Sequence, residues 1–576
     1  MCKKSHTNIF LSIPSQISQV HGLFVTNNEN NVLVTIYPGE KLTYYVKIRD
    51  VQQGGTHWYH PHAEGAVGIQ AGGGAIGLLI VEDLEGDIPE EIASLPEIGM
   101  RIQHTDWKYN NEKYAADYVK KCKEVCSSSD EAKEICGCND PETECSEPVF
   151  GIPAYKGEYS QALTVNGAEN PTFDLYAGQW YHIRSVYAPT YKTPIEPTIK
   201  GCDFKLLSKD GRYMPVTPRD IEAGYMFSGS RADFLIRCDA LGSYEFESID
   251  TVPRPHNWAT WDGENNTLLG DAKHGGSYGQ KQNAWTGTMA TFNVIEPPAG
   301  STVSELDEIR PFRVARPCYA PEMRNLTIDD SFYFLQGSLA PPAADGETYP
   351  VFRHQPSTSW DGEDPTHGNF YAMNDFNETD TAFPGRLSPP KGTPACDGKI
   401  TNDYGECYGT PPLAQDFSFN IGDIVEIDYH APQLHPLHLH VFPHQITHLP
   451  EFSVMNDYFQ VGDYHDVLIV PISGDNNEDS AEAPEYGKVV VRQHIYKLQT
   501  DIVVHCHFYR HSDRGMVSLG NTIGTEGKSS PQVEGTCYHG LTDREFAYEG
   551  STTEPIGQVP ETEVPEPEAQ PNTLFD

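Results

Sequence analysis

Short runs in which apolar and polar residues alternate recur along the chain, and Gly, Pro, Asn and Asp residues bound them. Successive side chains of a β-strand point to opposite faces, so such runs are typical of strands with one buried face. Long stretches with a helical period are few. The alternating runs lie at 32–37, 42–48, 75–81, 181–186, 233–237, 424–429 and 488–491. This pattern predicts an all-β protein built from β-sandwiches.

The length of the chain and its Pro- and Gly-rich junctions predict several domains. A chain of 576 residues is too long for a single hydrophobic core. The end of the chain is dominated by Pro, Glu and Thr, a composition that predicts disorder. The expected units are a first domain at 18–110, an acidic Cys-rich insertion at 111–155, a second domain at 156–300, a third domain at 310–540, and a disordered acidic tail at 541–576.

The charge of the chain limits its possible partners. There are 82 acidic residues against 40 basic ones, which gives a formal net charge of -42. This charge repels the phosphates of nucleic acids and of anionic membranes, so we expect neither as a partner. No apolar run approaches the ~20 residues that a transmembrane helix needs. An acidic surface attracts cations, although the same charge also keeps a protein in solution.

The cysteines and glycosylation sequons favour an oxidising compartment. The chain has 13 cysteines, and three sequons start at Asn265, Asn325 and Asn377. Five of the cysteines lie in the polar insertion, where we interpret them as disulfide staples, with a zinc site as the alternative: Cys122, Cys126, Cys136, Cys138 and Cys145. We therefore expect a secreted or cell-surface protein, although no signal peptide is visible at the start of this sequence.

Three histidine-rich motifs point to metal chemistry. Residues 505–516 read HCHFYRHSDRGM, residues 435–440 read HPLHLH, and residues 57–62 read HWYHPH. In a strand, His505 and His507 point to one face and Cys506 points to the other. Two imidazoles, one thiolate and a distant Met form the ligand set of a blue-copper electron-transfer site. The alternative is a buried cysteine among chance histidines, and the repetition of H-x-H pairs weakens it.

These motifs carry a family resemblance. The two motifs that begin at His435 and His505 resemble the C-terminal copper signatures of multicopper oxidases, and GTHWYHPHAEG resembles their first-domain signature. LTVNG and SGSRADFLIRC are similar to second-domain markers. The resemblance covers residues 18–525 and implies three Greek-key, plastocyanin-like (cupredoxin) domains. It also implies an enzyme that takes electrons singly from a reducing substrate at a type 1 copper and reduces dioxygen to water at a trinuclear copper cluster.

Carried over residue by residue, the resemblance assigns ligands to four copper ions. The type 1 ligands are His435, Cys506, His511 and, in the axial position, Met516. The type 3 pair is bound by His21, His60, His62, His440, His505 and His507. The type 2 copper is bound by His438. The resemblance implies electron transfer from Cys506 through the adjacent peptide bonds to His505 and His507, whereas we expect structural roles for His57, His444 and His448.

The chain departs from the family at two places. Family members carry H-x-H-G where this chain has Gln19-Val20-His21-Gly22, so the second type 2 ligand is replaced by Gln19, a poor copper ligand beside imidazole. Either Gln19 is genuine and weakens the trinuclear centre, or residues 1–19 are not the native N-terminus and the first domain lacks its opening strands. We favour the second explanation. At Ser512 many relatives have a proton-relay acid, and the nearest acid here is Asp513.

The sequence thus predicts a monomeric multicopper oxidase that uses dioxygen and a phenol, an aromatic amine or a metal ion. A ferroxidase with Fe²⁺ as its substrate is one alternative, because the acidic charge would concentrate cations. The alternative of another class is a non-enzymatic cupredoxin protein that keeps only the type 1 copper, and Gln19 is the residue that supports it.

Overall fold

The structure, a computed structural model, describes a defined part of the chain. The predicted insertion at 111–155, the sequons at Asn265 and Asn377 and the tail beyond residue 551 lie outside the described residues. The described residues are 18–30, 32, 45–62, 67–106, 161–190, 193–250, 261–262, 267–268, 284–300, 308–337, 351–356, 417–430, 436–449, 458–469, 488–509, 512 and 517–551.

Strands make up most of the described secondary structure, which confirms the predicted all-β class. Five of the seven alternating runs fall in strands. Of the other two, residues 45–48 are described and form no strand, and residues 33–37 lie outside the described part. The helices are short, and they are α1 (Asn27–Asn30), α2 (Val67–Gly72), α3 (Glu90–Ala93) and a 3-10 turn at Pro531–Val533.

The first region of the chain forms a three-stranded antiparallel sheet. Its strands are β1 (Ser18–His21), β2 (Gly55–Pro61) and β3 (Gly77–Val81), in the order β1-β2-β3. The register places Gln19 opposite His60 and His21 opposite Trp58. Because side chains alternate along a strand, Gln19 and His21 lie on the same face of β1.

The second region contains two larger sheets. The seven-stranded sheet has the order β10-β9-β12-β7-β4-β5 with β11 beside β9, and the four-stranded sheet has the order β6-β16-β13-β8. The strands are β4 (Glu97–Asp106), β5 (Gln161–Val165), β6 (Thr172–Tyr176), β7 (Trp180–Tyr187), β8 (Pro197–Ile199), β9 (Asp203–Lys209), β10 (Arg212–Tyr213), β11 (Arg219–Asp220), β12 (Arg231–Arg237), β13 (Gly242–Ser248), β14 (Trp261–Asp262), β15 (Thr267–Leu268) and β16 (Gly287–Ile295).

One strand of the predicted first domain belongs to a sheet of the second region. The predicted first domain, 18–110, includes β4, but β4 pairs in parallel with β7 and antiparallel with β5 of the second region. Buried residues on both strands explain this pairing, since Met100 and Ile102 of β4 share a core with Ile183 of β7. The sheet therefore continues across the predicted boundary at residue 110.

The third region is also built around two sheets. Their orders are β19-β18-β21-β26-β23-β24 and β20-β28-β27-β22-β25. The strands are β17 (Phe312–Val314), β18 (Asp330–Gly337), β19 (Val351–Pro356), β20 (Phe417–Asn420), β21 (Ile424–His430), β22 (Leu437–Leu439), β23 (His444–His448), β24 (Tyr464–His465), β25 (Val467–Leu468), β26 (Lys488–His494), β27 (Asp501–Cys506), β28 (Val517–Ile523) and β29 (Phe546–Tyr548).

Aromatic side chains fill the space between facing sheets. In the third region the rings of Phe332 and Phe419, from different sheets, lie 4.9 Å apart between centroids. In the second region Phe204 and Phe246 make the same kind of contact at 6.4 Å. Burial of such rings stabilises the fold by roughly 1.5–3 kcal/mol for each side chain.

Among the described helices, none is long and apolar enough to cross a membrane.

The predicted start of the disordered tail, residue 541, is too early. Residues 541–551 are described, and β29 pairs with β17 through the register Phe312↔Tyr548. The physical reason is aromatic burial, because Phe546 packs edge-on against Phe312. The same part of the chain is held by the disulfide Cys318–Cys537, and the second region contains the disulfide Cys202–Cys238.

A buried ion cluster joins the second and third regions. The Lys209 ammonium donates to a carboxylate oxygen of Asp463 at 2.5 Å and to the carbonyl of Tyr458 at 2.6 Å. Arg219 donates to the other oxygen of Asp463 at 2.8 Å. Burial lowers the pKa of Lys209 to about 8, and the Asp463 carboxylate offsets part of this shift. Asp463 therefore neutralises two cations at the junction.

We predict that Asp463→Asn destabilises the protein by about 3–5 kcal/mol, because it leaves Lys209 and Arg219 without their counter-ion. The measurement is the free energy of unfolding in urea. The matched control is Lys200→Met, which removes an exposed lysine that pairs with Glu247 at the surface and should leave the unfolding curve unchanged. An Asp463→Asn curve that superimposes on the wild-type curve would contradict the prediction.

Candidate metal centre

Strand β27 and the residue that follows it present His505 and His507 to one side of the sheet, and the alternation of side chains along the strand places Cys506 on the other. His505 and His507 both point into a cluster of buried imidazoles. Cys506 is fully buried and belongs to neither described disulfide. In the neighbouring strand β22, His438 lies opposite His505 and Leu437 lies opposite Cys506. Two adjacent strands of the third region therefore supply imidazoles to one side of their sheet.

The imidazoles form two compact groups of three. Within each group the ligand atoms all lie within 4.8 Å of one another, and every member is buried. Each group takes histidines from the first region and from the third. The first triad is His21, His60 and His507, and the second triad is His62, His440 and His505. These are the six residues that the sequence analysis assigned to the type 3 pair.

In the first triad, electron pairs converge on a common point. His60 Nδ1 donates to the carbonyl of Pro61 at 2.9 Å, and His21 Nε2 donates to the carboxylate of Asp466 at 3.2 Å. A neutral imidazole carries one N–H, so His60 Nε2 and His21 Nδ1 each present a lone pair. These two atoms are 3.3 Å apart, and His507 Nε2 is also 3.3 Å from His21 Nδ1. A cation between the nitrogens would relieve their mutual repulsion.

In the second triad, too, a hydrogen bond fixes a tautomer so that a lone pair faces the neighbouring imidazole. His505 Nδ1 donates to the carbonyl of Cys506 at 3.0 Å, which leaves the lone pair on Nε2. That atom faces His62 Nε2 at 3.4 Å. The His440 ring lies 5.0 Å from that of His62 and 5.3 Å from that of His505, between centroids. Such fixed tautomers are typical of metal-binding histidines, whose second nitrogen donates to a carbonyl or carboxylate.

His438 lies between the triads and meets Gln19. Its Nδ1 donates to the backbone carbonyl of Asp466 at 2.7 Å, so its Nε2 carries the lone pair. The Gln19 side-chain nitrogen lies 3.0 Å from this Nε2 and 3.3 Å from His440 Nε2. The position at which the family resemblance expects a further imidazole is thus occupied by the Gln19 amide.

Burial keeps the imidazoles neutral. It lowers the pKa of His60 to about 3 and that of His505 to about 4. The pKa of each other member of the two triads, and that of His438, is also lowered well below its usual range, mainly by burial. Protons therefore compete weakly for these nitrogens near neutral pH, and their lone pairs remain available to a metal.

Two residues that the sequence motifs do not predict, Arg231 and Asp466, support the centre. Arg231 donates to both carboxylate oxygens of Asp466, and Asp466 orients His21 and His438. Burial alone would raise the pKa of Asp466, but the Arg231 guanidinium holds it below its usual range. Arg231 lies inside the SGSRADFLIRC marker, which was a signal of its importance. No sequence signal connected Asp466 with His21, 445 residues away.

Several candidate residues do not join the triads. His57 is fully buried, and neither of its ring nitrogens has a hydrogen-bond partner in the described structure. His444 is buried and His448 is exposed, and both belong to β23. Ser512 is buried. Four of the predicted residues lie outside the described residues: His435, His511, Asp513 and Met516.

Comparison with known proteins shows which proteins the chain resembles. Residues 13–86 match a family model described as multicopper oxidase. The chain has the fold of the McoA multicopper oxidase 2F4 variant from Aquifex aeolicus, at 16% identity over 90% of this chain and 86% of that one, with a TM-score of 0.51. No curated protein matches the chain significantly.

Two further solved structures share the fold. The laccase-like multicopper oxidase CueO from Ochrobactrum sp. is 15% identical over 88% of this chain and 86% of that chain, with a TM-score of 0.50. The laccase from Pediococcus acidilactici is 12% identical over 89% and 79%, also with a TM-score of 0.50. The predicted resemblance to the multicopper oxidase family is thereby confirmed. The buried imidazole triads fit copper, which binds neutral imidazole well.

Buried neutral histidines make the free energy of unfolding depend on pH. His444, a buried histidine of β23 outside the two triads, allows this dependence to be measured. Burial lowers the pKa of His444 to about 3. In the unfolded chain its pKa is about 6.5, so the unfolded state binds the extra proton as the pH falls. The stabilisation is complete above pH ~6.5 and is lost below it, by at most ~1.4 kcal/mol per pH unit for one histidine.

We predict that His444→Gln makes the pH dependence of stability shallower between pH ~6.5 and ~4.5. Urea unfolding of the metal-free protein at several pH values measures the slope. His448→Gln, which changes the exposed histidine of the same strand, is the control and should reproduce the wild-type slope. Equal slopes for the wild type and His444→Gln would show that His444 does not contribute.

Proposed function

We propose that this protein is a copper-dependent oxidase, which couples one-electron oxidation of a phenol, an aromatic amine or a metal ion to four-electron reduction of dioxygen to water. One observation carries the proposal. Two buried imidazole triads present converging lone pairs, and the third-region members His505 and His507 directly flank the buried Cys506. A single short strand thus connects a thiol on one face with two metal-binding groups on the other.

The described residues fit copper, and the proposal assigns them as follows. The two triads would hold the type 3 pair, and His438 would hold the type 2 ion. The type 1 ion would be held by Cys506 together with His435, His511 and Met516. Four ions are expected in all. When bound, copper supplies the one-electron redox steps and the binding and reduction of dioxygen.

The protein's own groups fix the positions of the ligands and exclude water from them. The backbone that joins Cys506 to its two neighbours is a short covalent connection between the sites. Its carbonyl at Cys506 also fixes the tautomer of His505. Trp58 stacks on His60 at 4.3 Å between ring centroids and is fully buried, so it keeps water from that side of the triad. A dry, rigid surrounding limits solvent access to the metal and stabilises one ligand arrangement.

The architecture that we propose to accompany this activity is three Greek-key cupredoxin domains in a monomer. The facing sheets of the second and third regions support it. A secretory location is proposed as well, and the two described disulfides support it because disulfides persist in oxidising compartments.

The substrate alternatives differ in charge. The formal net charge of -42 supports a ferroxidase, because it would raise the local concentration of Fe²⁺. A phenol gains nothing from that charge. A comparison of kcat/KM for Fe²⁺ and for a phenol, repeated at high salt, separates the two, since screening weakens only the attraction of the cation.

We predict that the copper-loaded protein consumes dioxygen and binds four copper ions per chain, and that His62→Ala lowers the rate of dioxygen consumption at least ~100-fold. Loss of this imidazole opens the second triad. Metal analysis and an oxygen electrode provide the measurements, with the exposed His448→Gln as the control. A protein that binds one copper ion and shows no turnover would instead support the non-enzymatic cupredoxin alternative, which the replacement at Gln19 favours.

We predict that Cys506→Ser removes the blue absorption of the copper-loaded protein, because that band arises from a thiolate bound to copper. The triads should still bind their copper ions, since their imidazoles are unchanged. Visible spectroscopy and metal analysis on the same sample measure both effects. A blue colour that persists in Cys506→Ser would rule out Cys506 as the type 1 ligand.

A further inference from the structure

Gln19 is held rigidly at the centre by its own strand. β1 pairs with β2 in a register that puts Gln19 opposite His60, and the backbone N–H of Val20 donates to the Asn30 side chain at 2.5 Å. The Gln19 side chain is 1% exposed. It lines a cleft together with His438 and His440. The amide therefore has a fixed position beside the lone pair of His438.

The amide leaves one of its atoms unsatisfied. In the structure its nitrogen faces His438 and His440, whereas its oxygen, Oε1, is buried and has no hydrogen-bond partner. A buried acceptor without a partner costs about 1–3 kcal/mol. The two ends of an amide are nearly the same size, and a half-turn about the last side-chain bond exchanges them without moving other atoms. After that turn, Oε1 would lie beside His438 Nε2.

The distance between the two side chains suits a shared ion. The amide end lies 3.0 Å from His438 Nε2. Nitrogen and oxygen ligands lie about 2 Å from a transition-metal ion, so two ligands at a right angle are about 3 Å apart. In the recorded orientation the Gln19 N–H donates to His438 Nε2. After the half-turn two lone-pair atoms would face each other, and they would repel unless a cation lay between them. A metal ion would thus satisfy both the oxygen and the imidazole.

The other groups near His438 are already engaged. His21 directs its lone pair to the first triad. The Asp466 carboxylate forms a third group of possible ligands with His21 and His438, but it already receives both ends of the Arg231 guanidinium and the N–H of His21. Among the residues that the structure describes around His438, Gln19 offers a side-chain oxygen that accepts no hydrogen bond.

We propose that Gln19 is a metal ligand. Its side-chain oxygen and His438 Nε2 together bind the type 2 copper ion, so that this centre has one imidazole and one amide oxygen where the family pattern has two imidazoles. The inference rests on the proposed function. Because a neutral amide oxygen binds copper less tightly than imidazole does, the type 2 ion is the most easily removed ion of the centre.

The test counts the imidazoles on the type 2 ion by pulsed electron paramagnetic resonance of the copper-loaded full chain. A Cys506→Ser background removes the type 1 signal. We expect one coupled imidazole when residue 19 is glutamine and two in Gln19→His. Gln19→Ala should lose the type 2 ion to a chelator at least ~10-fold faster, and Gln19→Glu, which keeps the shape and adds charge, should lose it more slowly. Gln103→Ala is the control, because it removes a buried glutamine that donates to the Ala71 carbonyl and not to an imidazole.

Each other outcome overturns the inference. An unchanged type 2 signal in Gln19→Ala would show that the amide is not a ligand. If the wild-type sequence lacks the type 2 ion and Gln19→Ala gains it, the amide blocks the position. Absence of that ion in both proteins, with the type 3 pair present, also rejects Gln19 as a ligand while leaving the proposed oxidase class in place. Absence of copper from the triads as well would reject the proposed function itself.

Discussion

The ion pair between Arg231 and Asp466 is the interaction on which the centre depends. Its partners come from the second and third regions, and its carboxylate reaches His21 in the first. One residue, Asp466, thereby fixes two tautomers, because its side chain orients His21 and its backbone carbonyl orients His438. A buried ion pair contributes little net stability, and removal of one partner is costly. Its role here is to align three separate parts of the chain around one cluster.

The same burial that makes the cluster difficult to assemble prepares it for metal. Imidazoles in water near pH 6.5 divide their lone pairs between protons and solvent. Here burial lowers the pKa of His60 to about 3 and that of His505 to about 4, and backbone carbonyls take the remaining N–H of each ring. The lone pairs then face one another with no proton between them. A cation bound between them would therefore be favoured.

Sequence reasoning succeeded where the chemistry is local. The period of two in a strand was enough to place His505 and His507 on one side and Cys506 on the other. The family resemblance added which distant histidines meet, and the two triads contain those six residues. Sequence reasoning did not predict the role of Asp466 or the pairing of β4 with β7, because neither depends on a local pattern. It also ended the third domain too early, since Phe546 lies among polar residues and finds its partner, Phe312, 234 residues earlier.

Strand β1 shows how the centre can vary without losing its shape. Gln19 and His21 lie on one face, two residues apart, so a single strand serves the proposed type 2 position and the first triad. The backbone of that strand is fixed by β2 and by Asn30, independently of which side chain stands at position 19. A change from imidazole to amide therefore alters the donor atom at one ion while the His21 ring keeps its contacts with Asp466 and His60. One side chain can thus change the metal affinity of the proposed type 2 position while the geometry of the triads stays the same.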